Sequence, residues 1–189
     1  MQRSRKEHPI LTEENSPKRY ILANDPSMTA WGWVVLTSTG QVIEAGAIKT
    51  EPHTKKLKVR KGDDRIRRVV ELNTELLEII RKYNIALILS ELPHGSQSAS
   101  AAVMIGIVAG VAQTISNCLE IPIEWFSEGD AKKALVGRSN ASKTEIKMQI
   151  HSRYKVPWTN TKWIDEAVAD AMAIFHVAKQ QSNLLKMLR

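Results

Sequence analysis

The stretch YILANDPSMTAWGWVVLTSTGQVIEAGAIKT, residues 20–50, decides the fold. It opens with a short apolar run that ends in an acid, Asp25. Two segments rich in β-branched and aromatic residues follow, WGWVVLTS and QVIEAGAIKT, divided by the turn Ser38-Thr39-Gly40. Three strands joined by tight turns are expected from this pattern. Downstream, the basic segment from Lys49 to Arg68 reads as a loop, and Val69, Leu72, Leu76, Leu77, Ile79 and Ile80 then recur at helical spacing. IALILSEL, residues 85–92, is the continuous apolar run of a strand buried on both faces, and it too runs into an acid, Glu91. Ser96 to Leu119, rich in Ala, Gly, Val and Ile, suits a helix packed closely on several sides. IPIEWF is a fifth strand. Ser127 with Asp130, and Ser142 with Glu145, resemble capping boxes opening two short helices, and Asp165 to about Met187 forms a last helix. The order β-β-β-α-β-α-β-α-α-α describes an α/β fold: a mixed five-stranded sheet, antiparallel meander first and parallel strands after, with helices on both faces.

Upstream, residues 1–19 show no sustained period and end near Ser16-Pro17, so they read as a flexible basic arm before a single domain over 20–189. The 189 residues suit one domain, and 43% hydrophobic with 25% charged residues is the composition of a folded chain. The single cysteine, Cys118, excludes an intramolecular disulfide and a thiolate-rich zinc site, and favours a reducing, cytoplasmic setting. The most apolar stretch, Val103 to Ile115, is broken by Gly106, Gly110 and Gln113 and falls short of the roughly 20 residues of a membrane span. No membrane partner is expected, and the N-terminus lacks the apolar core of a signal peptide. A formal net charge of +7 points to an anionic partner.

The carboxylates carry the chemistry. Asp25 ends the first strand, Glu91 lies at the end of the fourth, and Asp165, Glu166 and Asp170 fall at the start of the last helix. If the first and fourth strands are parallel neighbours, Asp25 and Glu91 project from the same edge and the last helix can bring Asp170 opposite. Such an oxygen-rich cluster suits hard divalent cations, and two ions can activate water and stabilise the leaving oxygen of a phosphodiester.

In four segments the chain resembles the RuvC-type Holliday junction resolvases of the ribonuclease H-like superfamily, from about Tyr20 to Ala178. These are ILANDPSMTAWGWVVL, SELPHGSQSASAAVMIGIVAG, EGDAKKALVGRSNASKTEIKMQI and IDEAVADAMAIFHVA. The resemblance implies a ribonuclease H-like fold, a homodimer, dependence on Mg²⁺ or Mn²⁺ with two ions per site, and symmetrical nicking of four-way DNA junctions. The basic arm and compact length suit a phage or bacterial member, an organellar one less so, and a branch-migration partner is allowed for. Asp25, Glu91 and Asp170 match the family's catalytic acids, and Lys132 and Lys143 match basic residues near the DNA backbone. Asn24 and Ser27 depart from the family's pattern around the first aspartate. Ala167 stands where a further acid often lies. In a helix that already includes this turn Glu166 shares the face of Asp170, whereas Asp165 serves only from an N-cap; both stay open as the fourth acid.

Lys49 to Arg68 and Lys132 to Lys155 each carry a local excess of basic residues, which suggests a surface tracking phosphates. Lys58, Arg60, Lys61, Lys132, Lys133, Arg138 and Lys143 are its candidate contacts, and Lys143 also a catalytic one. His94 reads as a proton carrier or phosphate contact or, at least equally, as a plain loop histidine, and His176 as helix packing. Trp31 and Trp33 read as packing residues, while Trp158 and Trp163 suit base stacking or the core. The expected activity is metal-dependent resolution of four-way junctions. The rivals are a broader nuclease acting on forks and flaps and a non-catalytic junction binder. Asp25-Pro26-Ser27 disfavours an actin-like ATPase, and no P-loop is present.

Overall fold

The computed structural model describes residues 18–54, 58–96 and 98–188. Most of the arm expected over 1–19, and Lys55 and Lys56 of the basic segment, lie outside the described residues. Strands β1 (Tyr20–Asp25), β2 (Ala30–Leu36) and β3 (Val42–Lys49) form the meander. Helix α1 (Lys61–Lys82) leads to β4 (Ile85–Leu92), and α2 (Ala99–Leu119) leads to β5 (Ile123–Ser127). Four helices close the chain: α3 (Glu128–Val136), α4 (Lys143–Arg153), α5 (Lys162–Gln181) and α6 (Asn183–Met187). The sheet order is β3-β2-β1-β4-β5, with β1 antiparallel to β2 and parallel to β4, and β5 parallel to β4.

Alternation along the strands builds two cores. Leu22, Trp31, Val35, Ile48 and Ile88 face α1 and α2, while Ile21, Ala23, Val34, Leu36, Leu87 and Leu89 face α3, α4 and α5. α5 lies against the middle of the sheet because it offers alanines there, Ala167, Ala169, Ala171 and Ala173, all buried. The approach is closest at Gly32 of β2, where a Cβ would stand 2.1 Å from the Ala167 carbonyl oxygen. Trp31 and Trp33 pack as expected.

Three boundaries correct the sequence reading. α1 begins at Lys61, two turns before the apolar period, because Asp63 and Asp64 complement the helix dipole and Arg67 pairs with Asp64 and Glu71. α5 begins at Lys162 and stops at Ser182, whose extended backbone and hydroxyl cap a separate short helix, α6. α2 is apolar beyond Val103–Ile115: by length and composition alone its 21 residues could cross a membrane. One of its faces buries Val108, Ala112 and Ile115. Val103 on α2 is left half exposed, as are Ile66 and Val70 on α1.

Candidate active site

The site grows from the register of the parallel strands. Buried Asn24 and Ser90 face each other across β1 and β4, and the Ser90 hydroxyl donates to Asn24 Oδ1 at 2.8 Å. That polar pair, enclosed in an apolar core, fixes the register, so the next residues, Asp25 and Glu91, emerge together at the sheet's edge. The turn after Asp25 is braced from α1. The buried Arg68 guanidinium donates to Thr50 Oγ1 at 2.8 Å, to the Met28 carbonyl at 3.0 Å and to Thr29 Oγ1 at 3.3 Å. Asp25 also faces Gly32 in the β1–β2 register, and the close docking of α5 at Gly32 brings Asp170, one turn past Ala167, to the same place.

The charges of these groups act on one another. Burial, then Asp170, pushes Asp25 up to about 7, with Lys143 opposing and Glu128 adding to the rise. Glu91 is pushed up to about 9, first by burial and then by Asp25, Glu128 and Asp170, against Lys132. Asp170 is also raised, by burial and Glu128, although Lys143 sits 3.1 Å from its Oδ2 and opposes the shift. Neither Asp25 nor Glu91 has a hydrogen bond or ion pair among the described residues. Half-buried carboxylates facing one another without a partner are unstable as anions and form a hard-oxygen donor set. The residues therefore fit a divalent cation of the Mg²⁺ or Mn²⁺ kind.

The other candidates are placed as follows. Asp165 is the fourth residue of α5, not its N-cap, which is Thr161. Its buried carboxylate accepts from the Thr159 amide at 2.9 Å, the Thr159 hydroxyl at 3.0 Å and Lys147 at 2.8 Å. Burial alone would raise its pKa, but these donors hold it below the usual range, tying α5 to α4 and the preceding loop. Glu166 shares the Asp170 face, lies 3.9 Å from Lys162 and acts electrostatically on Lys143 at the rim. Lys143 stands over Asp170. Lys132 pairs with Glu128 at 2.5 Å, Arg138 with Glu145, and Arg60 with Asp63 at 2.6 Å, while Lys58, Lys61 and Lys133 are exposed. The two basic segments thus spend much of their charge on local pairs. His176 Nδ1 meets the Tyr154 hydroxyl at 2.9 Å between helices, and Trp158 packs on the core with its Nε1 donating to His151. Lys49 lies over Trp163, 5.5 Å from the ring centroid.

The sequence reading passed over one member of the cluster. Glu128 opens α3 directly after β5, and its charge raises the pKa of Asp25, Glu91 and Asp170 alike. The signal was the one used for the other two, an acid at the carboxyl end of a strand. Ser127 and Asp130, whose hydroxyl and amide do form the helix cap at 3.0 Å, drew the reading past it.

Residues 21–176 match the family described as crossover junction endodeoxyribonuclease RuvC. A crossover junction endodeoxyribonuclease RuvC of Shewanella frigidimarina is 26% identical over 159 residues, covering 82% of this chain and 86% of the relative. One from Rhizobium johnstonii is 24% identical over 170 residues, covering 88% and 94%. Among solved structures, Thermus thermophilus RuvC in complex with Holliday junction substrate superposes with a TM-score of 0.64 at 19% identity, over 84% of this chain and 91% of that one. The yeast mitochondrial Holliday junction resolvase gives 0.55 at 14% identity, over 90% and 83%. These structures share the mixed sheet and its helices.

Proposed function

The chain belongs to the RuvC family of crossover junction endodeoxyribonucleases, and from that premise we propose that it resolves four-way DNA junctions through the carboxylate cluster at the edge of its sheet. It is a metal-dependent nuclease, a hydrolase of recombination and repair. One observation carries the assignment of the site: Asp25 and Glu91 stand side by side, unpartnered, at the ends of two parallel strands, with Asp170 opposite.

Asp25, Glu91 and Asp170 would hold the metal, proposed as two Mg²⁺ or Mn²⁺ ions. When bound, such ions supply a water acidic enough to ionise near neutral pH and neutralise charge at the departing oxygen. Hydrolysis joins the water oxygen to phosphorus and breaks the bond to the 3′ oxygen, which leaves as a hydroxyl. Lys143, 63% exposed and 3.1 Å from Asp170, would grip a non-bridging oxygen of the scissile phosphate. Its partner Asp170 keeps the ammonium at the site until DNA arrives. Glu166 stays at the rim with Lys162, and Asp165 holds α5 in place.

Lys58, Arg60 and Lys61 approach from the start of α1, whose Arg68 is anchored at the Asp25 turn. Lys132, Lys133, Arg138 and Lys143 approach from α3 and the segment leading into α4. Contacts of this kind position a duplex without reading its bases. A four-way junction has two-fold symmetry, so a homodimer presents one site to each of two opposed strands. The apolar groove of about 410 Å³ between α1 and α2, lined by Val69, Val70, Ile107 and Val111, is the proposed contact between copies. Residues 20–189 would form the nuclease domain and 1–19 an arm. The setting proposed is the cytoplasm of a bacterium or phage-infected cell.

The test is cleavage of an end-labelled four-way junction, a fork, a flap and a linear duplex, with Mg²⁺ or EDTA, by wild type and Asp25→Asn. Paired nicks in opposed strands of the junction, needing metal and lost in the variant, are expected. Equal cutting of forks and flaps would broaden the substrate to branched DNA in general. Binding without cleavage under any metal would refute a catalytic site.

A further inference from the structure

Resting on the metal-dependent reading above, we infer that Glu128 and His94, rather than a further acid on α5, complete the metal-binding set together with Glu91. One donor atom from each of Glu91, His94 and Glu128 lies within 4.8 Å of the others. Neighbouring oxygens around a bound Mg²⁺ are about 3 Å apart. Glu128 and His94 are both exposed, so it is their side chains that would turn inward around an ion.

The topology explains why Glu128 arrives there. β5 is the parallel neighbour of β4, with Leu92 facing Ser127, so the residue after Ser127 emerges beside the Glu91 end of β4. Asp25, Glu91 and Glu128 thus terminate three adjacent parallel strands, β1, β4 and β5, and Asp170 crosses from the helical layer. Two of the alternatives on α5 are closed: Ala167 is buried against Gly32 and carries no donor, and the Asp165 carboxylate is filled by Thr159 and Lys147. Glu166, 3.9 Å from an exposed Lys162, is the rival the titration below separates from Glu128. Glu128, by contrast, acts on all three central carboxylates. Its cation among the described residues is Lys132, one turn along α3 at 2.5 Å, an ammonium that a metal ion can displace.

The chemistry also distinguishes this flank of the site. An imidazole beside two carboxylates favours a transition ion over Mg²⁺, whereas Asp25 and Asp170 offer oxygen alone. His94 therefore sets a preference for Mn²⁺.

Mn²⁺ titration of the full chain without DNA, followed by the paramagnetic resonance of free Mn²⁺, tests the assignment. Glu128→Gln is expected to weaken one Mn²⁺ site about ten-fold or more and leave the other, with Glu166→Gln unchanged from wild type. His94→Ala is expected to weaken Mn²⁺ more than Mg²⁺ measured by competition. Thermal unfolding in EDTA checks the fold, and Glu128→Ala repeats the measurement should the glutamine variant prove unstable. A Glu128→Gln titration identical to wild type, or a loss that appears instead in Glu166→Gln, overturns the inference. Wild type that binds no Mn²⁺ would refute the metal-dependent reading itself.

Discussion

At the scale of single residues, the cluster stores repulsion that a metal relieves. Asp25, Glu91 and Asp170 all hold protons more tightly in the folded chain than in the unfolded one. Each therefore contributes stability that is fully present below its unfolded pKa and is lost as pH rises through its folded value. In EDTA, the melting temperature is expected to fall from about pH 5 to pH 9, the window between unfolded carboxylates near 4 and the raised values of about 7 and about 9. Asp25→Asn should flatten that slope, and added Mn²⁺ should reverse it for wild type because binding expels the protons. Calorimetry across this range checks both. Asp25 and Glu91 were legible in the sequence because an acid ending an apolar run serves no purpose in the core. Asp165 was not: the same carboxylate can be a ligand or a packing group, and only Thr159 and Lys147, brought in by folding, decide which.

At the scale of elements, the strands were readable almost to the residue, since β1 and β4 coincide with YILAND and IALILSEL. Strands buried on both faces show as unbroken apolar runs. The helix ends were less legible. The first two turns of α1 are stabilised by charge pairs with no apolar period, and the break at Ser182 is masked by Leu184 and Leu185, which prolong the apolar pattern of α5. Arg68 is the consequence of the early start to α1. Had the helix begun at Val69, no guanidinium would reach the Asp25 turn. Arg68→Met is expected to lower stability by about 2 kcal/mol, since it removes the guanidinium's bonds to Thr50, Met28 and Thr29 and leaves the Met28 carbonyl only the Thr50 hydroxyl. Urea unfolding measures this. The variant should also lower kcat more than it weakens junction binding, because the residue holds the turn and not the DNA. Arg68→Lys should restore either only in part, as an ammonium lacks the planar fork that reaches Thr50, the Met28 carbonyl and Thr29 together.

At the scale of the whole molecule, charge and apolar surface are divided. The chain's net charge of +7 contrasts with a site whose own residues are acidic, so phosphate would meet a cluster that repels it until cations intervene. On the α1–α2 side, Ile66, Val70 and Val103 are more than half exposed, an apolar face that a second copy would cover. Val70→Asp with Val103→Asp is expected to convert the proposed dimer to a monomer by light scattering. It should also abolish paired nicking while sparing metal binding, since neither residue touches the carboxylates. Fold class could be read from one chain because strand and helix periods are local; a contact between copies could not, because whatever would cover the face lies outside the chain. Gly32 completes the picture from the opposite direction. It faces Asp25 across the sheet and lets the backbone of α5 press to within the space a methyl group would need. The partner of the first acid is thus a residue that contributes by having nothing there. An inactivating mutation at position 32 would look, to anyone scanning charged groups for the cause, like an accident of the scaffold, although it would act by pushing Asp170 away from its fellow acids.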